Sequence, residues 1–335
     1  MDRDQHELQF LGFLGVYRET SKIILKWRRI FAQITLALIL PLCVVFLAHS
    51  AVSQLLFFRI ASDEFDRDTS NGSPGNRDLS RMLKKEWVVF CLFKLGYFIS
   101  VFIFSLLSTL AVVYTVACIY VAKHITFKKI MSVVPRVWKR LMVTFLWSFA
   151  PFFAFVVVAG SLLIEWVFNV AVSQVRPRLG IAMLVILLIL YIIAFVYSTM
   201  IWQLASVITV LEDVYGRKAM VKSRRLIKGK MGILVGFSLG VLVWFALVQA
   251  LFDCFLVFDL FPVIGINIGV GLICLLLLLM VVLFDLVVQT VIYFVCKSYH
   301  HENIDKSSLS DYLEVYLGDS VPLKAHSVQL EQLHV

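Results

Sequence analysis

Charged residues are scarce in this chain. Asp, Glu, Lys and Arg make up 16% of its 335 residues, whereas 61% are hydrophobic and the mean hydropathy is +0.90. Soluble domains ordinarily contain about a quarter charged residues, so this chain has too few to cover a water-exposed surface of its size. The composition excludes a soluble globular protein and indicates that lipid surrounds most of the chain.

Cysteine is also sparse, and none of the six residues has the spacing of a metal or redox site. All lie within or at the ends of apolar segments: Cys43, Cys91, Cys118, Cys254, Cys274 and Cys296. We therefore expect no disulfide framework. Buried packing is the general expectation, with palmitoylation as the alternative for Cys118 and Cys296 near cytosolic span ends.

Signatures of metal-dependent hydrolysis and nucleotide binding are missing as well. The sequence contains no H-E-x-x-H motif, no phosphate-binding loop and no paired carboxylates in a polar domain. It also lacks zinc-finger spacing and any RNA-binding signature, although its net charge is +9. We predict no enzymatic activity, no metal, no cofactor and no nucleic-acid partner.

Long apolar segments account for most of the sequence. A helix needs about 20 residues to cross a hydrocarbon core of about 30 Å. Six segments reach this length, namely residues 30–58, 87–122, 141–172, 179–211, 231–258 and 265–296. Their apolar residues are continuous rather than alternating, which favours helices over barrel strands. The predicted fold is an all-α polytopic membrane protein with six transmembrane helices.

Three basic, amphipathic stretches precede the first, third and fifth apolar segments. They cover residues 8–29, 123–140 and 212–230. Each ends in a cationic group that we regard as a candidate contact with lipid headgroups: Trp27, Arg28 and Arg29; Trp138, Lys139 and Arg140; Lys228 and Lys230. A helix of this kind can lie in the membrane interface. We therefore predict three cytosolic-side amphipathic helices.

The combination of one interfacial helix and two spans predicts three repeated units. Unit 1 is residues 1–122, with interfacial helix 8–29, spans 30–58 and 87–122, and a lumenal loop 59–86. Unit 2 is residues 123–211, with helix 123–140 and spans 141–172 and 179–211. Unit 3 is residues 212–296, with helix 212–230 and spans 231–258 and 265–296. Residues 297–335 form a cytosolic tail that we expect to be largely disordered.

Basic residues also predict the orientation of the chain. Most of the 31 Lys and Arg residues fall in 1–29, 123–140, 212–230 and 297–335. Because cytosolic segments carry the excess of Lys and Arg, both termini are expected in the cytosol of an endomembrane or plasma-membrane protein. Asn71 begins an N-glycosylation sequon in the loop that this orientation places on the lumenal side.

Anionic phospholipid headgroups are the partner that the basic stretches indicate, at about 1 kcal/mol for each cation near the surface. The alternative is that the charges only enforce topology. The tail contains a short helical pattern over residues 309–317 and is a candidate for binding a cytosolic protein.

Polar residues within the spans are the candidates for a functional site, because an intramembrane charge is costly unless it finds a partner or water. The set is Lys94, Glu165, Gln203, Gln249, Asp253, Asp285 and Gln289. Helix lengths place Lys94 within reach of Glu165 or Asp253, with His49 and Gln249 beside them. Gln289 lies one turn from Asp285, and Gln203 lies at a similar depth. Each group is either an interhelical packing contact or part of a transport path.

Residues 210–230 resemble a signature of bacterial six-span proteins related to the membrane domain of glycerophosphodiester phosphodiesterases. The matching positions are Glu212, Gly216, Ala219, Ser223, Leu226, Lys228 and Gly229. No catalytic phosphodiesterase domain accompanies them, so the resemblance implies architecture and not hydrolysis. Residues 7–12, 34–42 and 47–49 resemble a plant family of uncharacterised six-span membrane proteins, which implies no activity.

Two functions are consistent with these features. The favoured one is a membrane-organising or scaffold role, in which the basic interfacial helices engage anionic lipid. The alternative is a transporter or channel for a small solute or ion, with intramembrane polar residues around Asp285 and Lys94.

Overall fold

The structure, a computed structural model, describes residues 12–69, 76–121, 126–173, 177–257 and 264–300. All regular elements in these ranges are helical, which confirms the all-α prediction for them. In chain order the α-helices are α1 Phe13–Lys26, α2 Arg28–Ile34, α3 Leu40–Thr69, α4 Asn76–Tyr120, α5 Phe127–Ser173, α6 Pro177–Leu211, α7 Arg217–Ile227, α8 Met231–Phe252 and α9 Ile264–Tyr299. Two π-helical turns, Thr35–Ile39 and Asp253–Val257, follow α2 and α8.

Five stretches of helix are long and apolar enough to cross a membrane: Arg28–Gln54, Trp87–Tyr120, Leu184–Leu211, Met231–Leu256 and Asn267–Tyr299. The chain is therefore a multi-pass membrane protein. The remaining predicted span, residues 141–172, lies within α5, where the apolar stretch in the described part is the shorter Val157–Phe168. Six spans, three repeated units and cytosolic termini stay predictions.

The densest packing lies at the end of the bundle where α4, α6 and α9 terminate. Residues 110–120, 204–211 and 286–296 are buried continuously, and the rings of Tyr120 and Phe294 stack with centroids 4.5 Å apart. Lipid is as apolar as these side chains, so close packing and polar contacts must hold the helices together. Many apolar side chains of α5 between Met142 and Phe168, and of α6 between Val185 and Ile193, are exposed, as a lipid-facing surface requires.

A π-helical turn ends two residues before Pro41. Proline has no N–H group, and its ring clashes with the carbonyl four residues earlier in a regular α-helix. The wider turn at Thr35–Ile39 accommodates this defect within the first span. The second π-helical turn begins at Asp253, so it carries one of the intramembrane carboxylates.

The three basic stretches differ in structure. In the first, α1 packs on the spans through buried Val16, Thr20 and Ile23, and the Phe13 and Phe237 rings stack at 4.4 Å. The second is continuous with the following apolar segment, because α5 runs without a break from Phe127 to Ser173. The third contains a separate short helix, α7. The first and third stretches thus each contain a helix that ends before the following span begins, whereas the second does not.

Candidate intramembrane binding site

The carboxylate of Asp285 on α9 is held by two glutamine amides. Gln289, one turn later, donates a 2.7 Å hydrogen bond from Nε2 to Oδ2 of Asp285. Gln203 of α6 donates from Nε2 at 3.4 Å to each carboxylate oxygen. The sequence brings Asp285 and Gln289 together because residues four apart share a helix face. Gln203 joins them because α6 and α9 pack side by side at this depth.

Two cavities adjoin this cluster. The larger has a volume of about 250 Å³ and lies between α3, α4, α5, α6 and α9. The smaller, about 20 Å³, lies between α6, α8 and α9 and has room for about one water molecule. Asp285, Gln203 and Gln289 line both cavities, so they form a shared wall.

The wall of the larger cavity is rich in hydroxyl groups, contributed by Ser105, Ser108, Thr109, Thr199 and Ser206. Most of these oxygens have partners: Thr109 and Thr199 donate to carbonyls one turn earlier in their own helices, and Ser206 donates to the Gln203 carbonyl. Ser108 is different. Its side chain is 1% exposed, and its Oγ has no hydrogen-bond partner in the described part of the chain.

An apolar and aromatic surface completes the larger cavity. Leu42, Phe145, Trp202, Val282 and Leu286 line it, and the Phe145 and Trp202 rings meet edge to face with centroids 5.0 Å apart. Among the described lining residues there is one carboxylate and no Lys or Arg. The cavity is therefore amphipathic and has a single negatively charged group.

A second polar cluster joins α3, α4 and α8. Lys94 donates a 2.7 Å hydrogen bond to Oγ of Ser53. One turn earlier on α3, Ser50 donates to Oδ1 of Asp253 at 3.2 Å and accepts a 2.6 Å bond from Gln249, which also donates to Asp253 at 2.9 Å. The sequence predicted that Lys94 and Asp253 lie within reach of each other. In the structure each of them contacts a serine hydroxyl of α3.

Two polar atoms beside this cluster are buried without a partner in the residues described, His49 Nε2 and Gln249 Oε1. The His49 ring stacks on Tyr97 with centroids 3.5 Å apart. Glu165, the other carboxylate considered for Lys94, lies exposed on α5. An aromatic contact at 5.0 Å between Phe46 and Phe245 lies between the Lys94 cluster and the level of the larger cavity.

Sequence reasoning missed a partly buried ionic cluster centred on Glu212, which follows α6 directly. Oε2 of Glu212 pairs with Lys222 at 2.7 Å, and Oε1 accepts hydrogen bonds from Tyr293 at 2.7 Å and Lys297 at 3.0 Å. Burial alone would raise the pKa of Glu212, but the hydrogen bonds and the charge of Lys297 outweigh it and hold the pKa below its ordinary value. Glu212 therefore stays ionised at neutral pH.

The segment that resembled the bacterial signature forms a joint between helices. Gly216, with φ of +65°, donates from its amide to Thr144 Oγ1 at 2.8 Å. Ala219 and Ser223 are completely buried on the inner face of α7, and the Ser223 hydroxyl donates to the Ile201 carbonyl at 2.9 Å. Gly229 has φ of +106° and lies against the Tyr299 ring. The two glycines occur here because their backbone has a positive φ, and Ser223 lies where α7 packs directly on α6.

Only some of the side chains predicted to contact lipid headgroups are exposed and without a partner among the described residues. Arg28, Arg29, Lys139 and Lys228 are exposed, whereas Trp27 and Trp138 are half-buried. Arg140 pairs with Asp213, and Lys230 lies over the Tyr299 ring at 5.2 Å. Asn71 and the tail after His300 lie outside the described residues.

One motif match was overlooked in the sequence. Residues 236–240 read Gly-Phe-Ser-Leu-Gly, the G-x-S-x-G spacing of a hydrolase nucleophile elbow. Such an elbow requires a sharp strand-to-helix turn, whereas Ser238 lies in the middle of α8. No His lines the small cavity to which Ser238 contributes, among the residues described. The match therefore lacks the structural context of a nucleophile.

Metal-binding groups of three or more His, Cys, Asp or Glu residues are not found in the described ranges. No curated protein and no solved structure matches the chain. The comparisons support neither a plant origin nor a relationship to glycerophosphodiester phosphodiesterases. A family model described as "Domain of unknown function (DUF8558)" matches residues 1–333, and the chain belongs to that family.

Proposed function

We propose that this membrane protein binds a small polar or cationic solute inside its helical bundle and moves it across the bilayer, as a transporter or channel does. The observation that supports this proposal is the larger cavity, about 250 Å³ in volume and bounded by Asp285 and several hydroxyl groups. The two glutamine amides donate to Asp285, and a carboxylate that served packing alone would need no more than such contacts. Asp285 also lines both cavities, so a solute bound in the larger one can reach it.

Charge movement by the purified protein in vesicles tests the proposal. Proteoliposomes on a solid-supported membrane are exposed in turn to gradients of protons, Na⁺, K⁺ and small organic ammonium ions. We expect a transient current for at least one of them, and its loss in Asp285→Asn. Asp213→Asn is the matched control because this acid lies outside the bundle, with a side chain 71% exposed. Equal currents in both variants, or none in the wild type, would contradict the proposal.

A membrane-organising role is the second candidate, and the exposed face of α7 supports it. Ala219, Ser223, Leu226 and Ile227 are buried on one side of this helix, while the opposite side exposes a cationic group: Arg217, Lys218, Arg224, Arg225 and Lys228. Such a fixed basic face suits anionic headgroups. Native mass spectrometry of the full chain would then show more retained phosphatidylglycerol than phosphatidylcholine, with the difference reduced in Arg224→Glu/Arg225→Glu. Equal retention would exclude this role.

A further inference from the structure

We propose that the larger cavity recognises a protonated organic amine with a hydrophobic body, a ligand class that rests on the proposed solute-binding function. The ammonium group would pair with Asp285, and the hydrocarbon or aromatic body would lie against Phe145 and Trp202. Three properties of the cavity lead to this class: its charge, its apolar wall and its size.

The charge of the wall selects a cation. Asp285 is the one ionisable acid among the described lining residues, and the same residues include no Lys or Arg to attract an anion. Its present partners are the neutral amides of Gln289 and Gln203, which satisfy its oxygens but leave the negative charge uncompensated. A monovalent cation would neutralise this charge. A divalent metal ion ordinarily needs several carboxylate and carbonyl ligands, which this wall does not supply.

The wall also contains acceptors for an ammonium head. A primary ammonium group has three N–H donors, and Asp285 accepts from one or two of them. The lining hydroxyls of Thr109, Thr199 and Ser206 already donate to backbone carbonyls, so their oxygens can accept from a bound donor.

The apolar part of the wall distinguishes an organic amine from a bare alkali ion. Leu42, Val282 and Leu286 offer only hydrocarbon, and Phe145 and Trp202 present aromatic rings. An inorganic ion gains nothing from the aliphatic surface. An organic ammonium ion would bury its body there and gain a cation–π attraction if its charge approached the Trp202 ring.

The volume fits a ligand of modest size. A dry cavity of about 150 Å³ is large enough for benzene. The cavity here, about 250 Å³, has room for one aromatic ring with a short aminoalkyl chain. 2-Phenylethylamine is therefore a suitable probe, and 2-phenylethanol is its uncharged counterpart of nearly equal size and shape.

Binding of these two probes to the full-length protein in detergent micelles tests the inference. We expect 2-phenylethylamine to raise the Tm with a saturable concentration dependence, and 2-phenylethanol, NaCl and KCl at equal concentrations to leave it unchanged. Calorimetric affinity for the amine should fall at least tenfold in Asp285→Asn and severalfold in Trp202→Leu. Asp213→Asn should keep the wild-type affinity.

The outcomes separate this inference from the proposed function. Saturable, Asp285-dependent binding of Na⁺ or K⁺ without binding of the amine would overturn the amine class but leave solute binding in place. Equal binding of the amine and the alcohol would show that the carboxylate does not select charge, and it would overturn the inference even if a variant failed to fold. Absence of binding for every probe, together with absence of transport currents, would overturn both.

Discussion

Tyr293 donates a 2.7 Å hydrogen bond to Glu212, and this contact fixes the end of α6 to the side of α9. Glu212 and Tyr293 are 81 residues apart in the sequence, and each also accepts a hydrogen bond from Lys297. Lys297 contacts both of them, at 3.0 Å to Glu212 and 3.3 Å to the Tyr293 hydroxyl, while Lys222 ties α7 to the same carboxylate. One carboxylate therefore holds three helices together where the bundle is most densely packed.

Glu212→Gln should destabilise the protein, because it removes the negative charge between Lys222 and Lys297, whose side chains are only 21% and 17% exposed. Loss of one partner from a partly buried charge cluster costs roughly 2–4 kcal/mol. A clear fall in Tm in detergent micelles is the expected result. Asp213→Asn is the matched control, since its pair with Arg140 is exposed and worth about 0–1 kcal/mol. Similar falls in both variants would contradict the central role of Glu212.

Acidification should reduce the difference in stability between the wild type and Glu212→Gln. The folded state holds the pKa of Glu212 below its ordinary value of 4.5, so folding favours the ionised form. This contribution is complete above the ordinary value and is lost as the pH falls through the lowered pKa. Tm measured for both proteins from neutral pH to about pH 3 checks the sign. A gap that stays constant or widens on acidification would contradict the assignment.

Gly229→Ala should destabilise the joint between α7 and α8. The residue has φ of +106°, where an L side chain costs about 1–2 kcal/mol, and an added Cβ would overlap Cε1 of Tyr299. Gly232→Ala is the control, since it lies in α8 with no atom within 4 Å of the added Cβ. We expect that change to be neutral or stabilising by up to about 1 kcal/mol. Equal Tm values for the two variants would show that the backbone at Gly229 is not restrained.

Spacing along one helix explains which parts of the site could be predicted from the sequence. Asp285 and Gln289 are four residues apart, and the rise of a straight helix placed Gln203 at their depth. The cavity beside them could not be predicted, since it depends on how far α4 and α5 lie from α9. Lys222 and Lys297 were interpreted as topology signals because their common partner, Glu212, is adjacent to them only in the folded chain.

The positions of the spans could be predicted from the sequence, whereas the ends of the helices could be predicted only in part. Apolar length predicted the positions of five spans, because the hydrocarbon thickness sets it. The cluster at Trp138, Lys139 and Arg140 does not end a helix, since Lys and Arg are good helix formers and α5 continues through them. Charge patterns indicate where a chain meets the interface, but they do not determine whether the helix stops there.

Val16→Asp should release α1 from the bundle. Val16 is completely buried where α1 packs on the spans, and a carboxylate there would lack a partner. Trypsin cleavage after Arg18 or Lys22 should become about tenfold faster in detergent micelles, because cleavage requires local opening of the helix. Leu14→Asp is the control on the same helix, since Leu14 is 79% exposed. Unchanged cleavage in Val16→Asp would contradict firm docking of α1, whereas faster cleavage in both would indicate loss of the helix itself.

The number of spans decides whether the two termini lie on the same face of the membrane. If α5 crosses the bilayer, six spans place both termini together, and the distribution of Lys and Arg predicts the cytosol. If α5 does not cross, the five apolar helices place the termini on opposite faces. Accessibility of epitope tags in selectively permeabilised cells measures this directly. We expect both termini to be reached from the cytosol and a tag within residues 174–176 only from the other face. Detection of the two termini on opposite faces would contradict the six-span topology.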